Sequence, residues 1–219
     1  MAAADLTISA ASRPLSTRPV STVVFDFGGV LLEWDPRHLY RKIFADPAEM
    51  EWFLANVCTG DWNIAQDKGR PWPVAEAEAI ARHPTYAEPI RDFRARWHEM
   101  VPHALTGTVD ILETLAVRGV PLYGITNFAA DTCREAREKY SFFGHFRGIV
   151  VSGEIGILKP DAAIFQRLAT DHRVDLTTCL FIDDVQKNVD GARAAGMAAV
   201  RFETPAKLRV DLAAHGVAV

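Results

Sequence analysis

An aspartate stands where the first short apolar segment of the chain ends, and its carboxylate is suited to chemistry. Asp26 follows the apolar residues 22–25, in a position for a nucleophile, a metal ligand or a helix cap. Gly28 and Gly29 come directly afterwards and favour a tight, irregular turn over the start of a helix. The helix-cap interpretation is therefore the weakest of the three.

Three further groups of polar residues occupy similar positions. Asp183 and Asp184 follow an apolar segment, and adjacent carboxylates repel each other unless a cation lies between them. Mg²⁺ suits such ligands. In the alternative interpretation, one aspartate caps the following helix and the other faces water. Thr126 and Asn127 also follow an apolar segment, where such residues are common. Lys159 precedes a proline and a helix pattern, and an isolated lysine there is usually a solvated surface charge.

The segments that carry these residues predict a parallel sheet. Apolar runs that do not alternate with polar residues are typical of strands buried on both faces, and they span 22–25, 120–125, 148–151, 179–182 and 197–202. Helix patterns lie between them, at 109–117, 129–140, 161–169 and 185–195. This alternation predicts an α/β fold, a Rossmann-like parallel sheet flanked by helices, with its ligand site at the carboxyl ends of the strands.

One long interval interrupts the alternation. Residues 34–102 are helix-patterned, rich in tryptophan and without a convincing strand. We predict an inserted all-helical cap at 34–102, with 21–33 and 103–219 forming the Rossmann-like core. Residues 1–20 are rich in Ala, Ser and Thr, and we predict a disordered leader there.

The four motifs together resemble the haloacid dehalogenase superfamily of hydrolases. They are Asp-x-Gly-Gly-Val, Thr-Asn, Lys-Pro-Asp and Asp-Asp-x-x-x-Asn, in the order of that family and with a helical cap between the first two. The resemblance extends from about residue 22 to residue 202. The Asp-x-Gly-x-Val form resembles a subgroup that contains an α-glucose-1-phosphatase. The same subgroup contains relatives of the phosphatase domain of soluble epoxide hydrolase, which keep an aspartate two residues after the nucleophile.

The resemblance implies phosphoryl-transfer roles for four residues. Asp26 would attack phosphorus and form an aspartyl-phosphate. Thr126 and Asn127 would bind the phosphate oxygens, and Lys159 would neutralise the charge of the nucleophile and the phosphate. The implied substrate is a small phosphorylated metabolite.

The same resemblance implies a Mg²⁺ site. Its ligands would be Asp26, the Gly28 carbonyl and Asp184, with Asp183 as a second or water-mediated ligand. Asn188 falls where the family often has a residue that supports the ligands. Mg²⁺ and a lysine would together offset the repulsion between an aspartate and a phosphate dianion.

Gly28 departs from the pattern of most family phosphatases, which carry there a second aspartate as general acid and base. Such catalysis is worth roughly 10²- to 10⁴-fold in rate. Its loss favours good leaving groups, so we expect a sugar 1-phosphate or similar substrate. Glu33, Asp35 and His38 are alternative proton donors, although a hinge followed by a helix start explains them as well.

Residues of the predicted cap are candidates for contacts with the substrate. Lys68 and Arg70 lie in a Gly/Pro-rich break and would reach toward a phosphate or sugar. The tryptophans of the segment would line a pocket or form the core that a helical subdomain needs.

Composition excludes several classes of function. The chain has 24 Lys and Arg against 28 Asp and Glu, with no basic stripe, which excludes nucleic acid as the main partner. The apolar runs are too short for a membrane span, and three widely spaced cysteines favour a reducing, cytoplasmic setting. The oligomeric state is not predicted.

Two other functions stay open at this point. A 2-haloacid dehalogenase would use Asp26 to displace halide from carbon without a metal, and the paired Asp183 and Asp184 weigh against it. A weakly active binding protein on the same fold is supported by Gly28 alone.

Overall fold

The computed structural model describes residues 18–219, so most of the predicted leader lies outside the described residues. The described chain contains five β-strands, which are β1 (Thr22–Phe25), β2 (Leu122–Thr126), β3 (Gly148–Val151), β4 (Cys179–Asp183) and β5 (Ala198–Arg201). They form one sheet in the order β3-β2-β1-β4-β5, and all neighbouring strands are parallel. The predicted α/β fold with a parallel sheet is confirmed.

Six α-helices follow β1 within residues 34–102. They are α1 (Arg37–Tyr40), α2 (Pro47–Asn56), α3 (Gly60–Asp67), α4 (Trp72–Arg82), α5 (Ala87–Ala95) and α6 (Trp97–Met100). A 3-10 helix at Pro84–Tyr86 joins α4 to α5. Because this interval is helical along its length, we refer to residues 34–102 as the helical segment. The division of the chain into two domains at these boundaries stays a prediction.

The two ends of the helical segment are joined by main-chain hydrogen bonds. The Glu33 N–H donates to the His103 carbonyl at 3.1 Å, and the Leu105 N–H donates to the Leu31 carbonyl at 2.8 Å. The chain therefore leaves the sheet and returns to it at one place.

Six further α-helices follow in the chain. They are α7 (Thr106–Val117), α8 (Ala130–Lys139), α9 (Ser152–Ile155), α10 (Ala162–His172), α11 (Gln186–Ala194) and α12 (Pro205–Ala214), with 3-10 helices at Ser141–His145 and Leu176–Thr178. Within residues 18–219 every helix is too short or too polar to span a bilayer.

Apolar side chains cover both faces of the sheet. On β1, Val24 packs in a cluster with Phe165 of α10 and Val189 of α11, whereas Val23 and Phe25 belong to a second cluster that includes Leu112 of α7. Burial on both faces explains why the strands are continuous apolar runs rather than alternating ones.

The helical segment has an aromatic core of its own. Trp62 lies 5.1 Å from Phe93 and 5.9 Å from Trp72, measured between ring centroids, and Tyr40 lies 4.9 Å from Phe53. Most of these rings are buried by packing against each other, as the core interpretation of the tryptophans predicts.

The three cysteines are free thiols and all are buried. Burial raises the pKa of Cys58, Cys133 and Cys179 to about 12 in each case. They sit in three different parts of the fold, after α2, on α8 and at the start of β4.

Candidate functional site

Three neighbouring strands deliver polar side chains to one edge of the sheet. Asp26 is the first residue after β1, Thr126 is the last residue of β2, and Asp183 is the last residue of β4. Because β1 lies between β2 and β4, these residues meet at the centre of the sheet's carboxyl edge. All three are buried, with at most 7% of the residue exposed.

Lys159 lies at the centre of this group. Its Nζ lies 2.8 Å from Asp26 Oδ2, donates to Asp183 Oδ2 at 2.8 Å and donates to the Ile125 carbonyl at 3.0 Å. An ammonium group has three donors, so these three acceptors use all of them. The interpretation of Lys159 as a solvated surface charge is wrong, since only 3% of the residue is exposed.

Asn127 fixes the main chain that carries this lysine. The Lys159 N–H donates to Asn127 Oδ1 at 2.8 Å, and Asn127 Nδ2 donates back to the Lys159 carbonyl at 3.2 Å. The residue that follows β2 thereby sets the place of the Lys159 backbone beside Asp26.

Three carboxylates form the second part of the site. One oxygen from each of Asp26, Asp183 and Asp184 lies within 4.8 Å of the others, and we call these three residues the carboxylate cluster. Asn188 Nδ2 donates to both oxygens of Asp183 at 3.1 Å, and the Val185 N–H donates to Asp183 Oδ1 at 2.8 Å. Asp183 is therefore held by several donors, and Asp184 is the freer member of the pair.

The turn after β1 closes tightly over Asp184. Gly29 has φ of +71°, and a Cβ added there would lie 2.5 Å from Asp184 Oδ2. A side chain on Gly29 would therefore occupy the space of the carboxylate. Gly28 differs, because a Cβ added to it would meet no atom within 4 Å.

The charges of the site are not balanced by the protein alone. Burial raises the pKa of Asp26 to about 7, although the charge of Lys159 opposes this shift. Burial is also the main cause that raises the pKa of Asp184, and the negative charge of Asp183 adds to it. Burial lowers the pKa of Lys159, but the carboxylates of Asp26 and Asp183 outweigh it and hold the pKa above its ordinary value. Arg201, whose Nε donates to the Asp184 carbonyl at 3.1 Å, also acts against the rise in the Asp184 pKa. Three carboxylates still outnumber Lys159 and Arg201, which leaves an excess of negative charge.

This arrangement fits a hard divalent cation. Carboxylate oxygens are the ligands that Mg²⁺ prefers, and a divalent ion would offset the excess charge. The cluster would supply Asp26 and Asp184 as ligands, and Asn188 Oδ1 is a buried oxygen with no hydrogen-bond partner in the described structure.

A cavity of about 400 Å³ opens above the site and reaches into the helical segment. Its floor includes Asp26, Gly28, Thr126, Asn127, Lys159 and Asp184. Its walls are largely apolar and include Leu32, Trp34, Ile64, Trp72, Trp97 and Phe128. Some tryptophans of the helical segment therefore do line a pocket, and Trp72 and Trp97 do so while almost fully buried. The volume is in the range of small-molecule sites.

Sequence reasoning missed one carboxylate of this cavity. Asp67, the last residue of α3, lines it and is only 9% exposed. Burial raises its pKa to about 7, against the effect of a hydrogen bond from the Ala129 N–H. A signal was present in the sequence, since an acidic residue at the C-terminal end of a helix opposes the helix dipole.

The alternative proton donors proposed from sequence do not line the cavity. His38 Nε2 lies 3.1 Å from Glu33 Oε1, and Asp35 accepts a hydrogen bond from the Arg37 N–H at 2.9 Å. These contacts lie at the start of α1 and agree with the interpretation of these residues as a hinge followed by a helix start.

The two cationic candidates of the helical segment are also outside the cavity lining. Arg70 Nε donates to Gln66 Oε1 at 2.6 Å, and its guanidinium lies 3.2 Å from Glu78 Oε2. The charge of Arg70 therefore joins α3 to α4, and contact of Arg70 with a phosphate or sugar stays a prediction. Lys68 is an exposed residue and does not line the cavity.

Comparison with known proteins gives one family. Residues 20–196 match the sequence profile of the haloacid dehalogenase-like hydrolases. A phosphatase of Mycobacterium tuberculosis, MT3486, is 28% identical over 87% of this chain and 90% of its own length. The sesquiterpene phosphatase astK of Aspergillus oryzae is 30% identical over 80% of this chain and 85% of its own length.

Solved structures with the same fold include a HAD family enzyme from Bacteroides thetaiotaomicron. Its complex with magnesium and inorganic phosphate superposes with a TM-score of 0.65 at 20% identity, covering 84% of this chain and 94% of that one. At this level of identity the similarity establishes the fold.

Proposed function

Since the chain belongs to the haloacid dehalogenase-like hydrolases, we propose that it is a Mg²⁺-dependent phosphatase of a small phosphate ester. The observation that carries the proposal is the contact between Asp26 and Lys159 inside the carboxylate cluster. A buried nucleophile beside a buried cation, open to a cavity of metabolite size, suits attack on an anionic centre. The phosphatase relatives support the same reaction.

In the proposed reaction an oxygen of Asp26 attacks phosphorus, and the bond between phosphorus and the leaving oxygen breaks. Thr126 and Asn127 bind the phosphate oxygens at the end of β2. Lys159 holds the Asp26 carboxylate in place and offsets its charge. Water then attacks the phosphorus of the aspartyl-phosphate, which releases phosphate and restores Asp26.

Mg²⁺ would be held by Asp26, Asp184 and the Gly28 carbonyl, with Asp183 as a second or water-mediated ligand. Its positive charge reduces the repulsion between the Asp26 carboxylate and the phosphate. The excess negative charge of the carboxylate cluster supports this assignment, and so does the magnesium complex of the Bacteroides thetaiotaomicron enzyme.

The carboxylate cluster also weighs against the dehalogenase alternative. Displacement of halide from carbon by Asp26 requires no cation. Asp183 binds Lys159 whichever reaction occurs, but displacement of halide gives no role to the additional carboxylate of Asp184, which has an oxygen within 4.8 Å of one on Asp26. The binding-protein alternative rests on Gly28 alone, and measurable turnover would eliminate it.

Two substrate classes follow from different observations. The absence of a side-chain carboxylate at Gly28, taken without any other proton donor, predicts a good leaving group, such as a sugar 1-phosphate. The cavity walls instead favour an apolar organic group, because Trp72, Trp97 and Phe128 present mainly carbon. We propose a hydrophobic phosphate ester as the second candidate, and the similarity to a sesquiterpene phosphatase supports it.

The test is a panel of phosphate esters assayed with Mg²⁺ and with EDTA. The panel contains a sugar 1-phosphate, a sesquiterpene phosphate and an aryl phosphate, with chloroacetate as the substrate for halide release. We expect Mg²⁺-dependent phosphate release in the wild type and none in Asp26→Asn, because an amide is not a competent nucleophile. Asp110→Asn, an exposed carboxylate on α7, is the matched control. Full activity of Asp26→Asn, or release of halide in EDTA, would contradict the proposal.

A further inference from the structure

The cavity leaves space where a proton donor is needed. Gly28 lines the cavity, and a Cβ built on it meets no atom within 4 Å. The carboxylates that line the cavity are Asp26, Asp67 and Asp184. Asp26 is bound to Lys159, and Asp184 belongs to the carboxylate cluster. Of these three residues, Asp67 is the one that neither binds Lys159 nor belongs to the carboxylate cluster.

Contacts with the core hold Asp67 over the site. Its carboxylate accepts hydrogen bonds from the Ala129 N–H and from Asn63 Nδ2, the latter at 3.2 Å. Its main-chain carbonyl accepts a hydrogen bond from Ser152 Oγ at 2.5 Å, and the same hydroxyl accepts one from the Phe128 N–H at 2.9 Å. Asp67 is thereby attached to the loop that follows the phosphate-binding end of β2.

The surroundings of Asp67 favour its protonated form. Within residues 18–219 no lysine or arginine contributes to stabilising its charge, and it ends α3, where the helix dipole disfavours a carboxylate. Burial and, to a smaller extent, the charge of Asp26 together raise its pKa to about 7, against the hydrogen bond from the Ala129 N–H. A carboxyl group that exchanges a proton near neutral pH is suited to general acid and base catalysis.

We infer that Asp67 is the general acid and base of this site, in place of a carboxylate at position 28. When Asp26 attacks phosphorus and the ester bond breaks, the Asp67 carboxyl gives its proton to the leaving oxygen. When water attacks the aspartyl-phosphate, the Asp67 carboxylate takes a proton from that water and returns to its first state. The inference rests on the proposed phosphatase activity.

The experiment compares leaving groups. kcat/KM is measured for aryl phosphates of graded leaving-group pKa and for a primary alkyl phosphate, in the wild type and in Asp67→Asn. If Asp67 donates the proton, kcat/KM of the wild type should depend only weakly on the leaving-group pKa. If Gly28 leaves the site without any proton donor, kcat/KM should fall steeply as the leaving-group pKa rises. In Asp67→Asn we expect the alkyl phosphate to lose about 10²- to 10⁴-fold and 2,4-dinitrophenyl phosphate to change little. Because each enzyme is compared with itself across substrates, a reduced folded fraction does not alter the result.

Two further variants sharpen the result. Asp61→Asn removes an exposed carboxylate from the first turn of the same helix and should retain the wild-type dependence. Gly28→Asp combined with Asp67→Asn supplies a carboxylate at position 28, where a Cβ meets no atom within 4 Å, and should restore activity toward the alkyl phosphate.

The outcomes separate the inference from the proposed function. An equal loss in Asp67→Asn for all leaving groups would indicate a purely structural role and overturn the inference, while Asp26→Asn would still be inactive. Activity that survives in Asp26→Asn would overturn the proposed function itself, and the inference with it.

Discussion

Lys159 holds two buried carboxylates, and its replacement by methionine should cost much of the stability of the fold. The substitution keeps a similar apolar chain but removes three hydrogen bonds, to Asp26, Asp183 and the Ile125 carbonyl. Asp26 and Asp183 then face each other without a cation between them. Removing one partner of a buried ion pair typically costs about 3–5 kcal/mol, which corresponds to about 6–20 °C in Tm for a chain of this size.

The measurement is urea unfolding at pH 8 in EDTA, followed by circular dichroism. Lys207→Met is the control, because Lys207 forms an exposed ion pair with Asp211 that solvent screens and that should contribute little to stability. We expect Mg²⁺ to recover part of the loss in Lys159→Met, since the ion supplies the missing charge. The reasoning is refuted when Lys159→Met costs no more than Lys207→Met.

Three further predictions concern the metal, the turn and the proton donor. Asp184→Ala should abolish Mg²⁺ binding measured by calorimetry, and Asp190→Ala on α11 should bind normally; unchanged binding in Asp184→Ala would contradict the ligand assignment. Gly29→Ala should lose Mg²⁺ affinity because its Cβ meets Asp184. The control is Gly119→Ala, at a φ of +75° with no atom within 4 Å of its Cβ, which should lose only about 1–2 kcal/mol of stability through backbone strain. Equal Mg²⁺ affinity in the two variants would refute this reasoning. Burial raises the pKa of the Asp67 carboxyl from 3.8 to about 7, so the folded state binds a proton there more tightly than the unfolded state does. The stability that this proton contributes is present below pH 3.8 and is lost as pH rises from there through about 7. Asp67→Asn should therefore gain up to about 4 kcal/mol over the wild type between pH 4 and pH 8 in EDTA, and identical pH dependence in unfolding experiments would contradict it.

The strands of the fold were predictable because burial on both faces leaves a simple record in the sequence. Residues 22–25 and 148–151 were predicted as strands with the bounds that the structure shows. The predicted strand 179–182 extends by one residue to Asp183, whose main chain continues the pairing with β5. A parallel sheet then requires polar residues at the ends of neighbouring strands to meet, whatever their distance along the chain.

Contacts that depend on how α3 packs against the core were not predictable. Asp67 was overlooked because nothing nearby in the sequence shows that its carboxylate meets Ala129, sixty-two residues later. Arg70 was a candidate for contact with the substrate because an isolated arginine in a loop leaves open which partner binds its guanidinium. The structure shows that Gln66 does so. Both cases require the tertiary arrangement, since local propensity carries no information about either partner.

The three buried thiols are natural probes of local unfolding in three separate regions of the protein. Reagents such as 5,5′-dithiobis(2-nitrobenzoic acid) react with thiolates, so burial and a pKa of about 12 protect each cysteine until its surroundings open. Cys58 reports on the helical segment, Cys133 on α8 and Cys179 on the central part of the sheet. Their modification rates therefore rank the free energies of local and global opening in one experiment. A phosphate analogue bound at the end of β2 should slow the reaction of Cys133 most if α8 is ordered by the ligand.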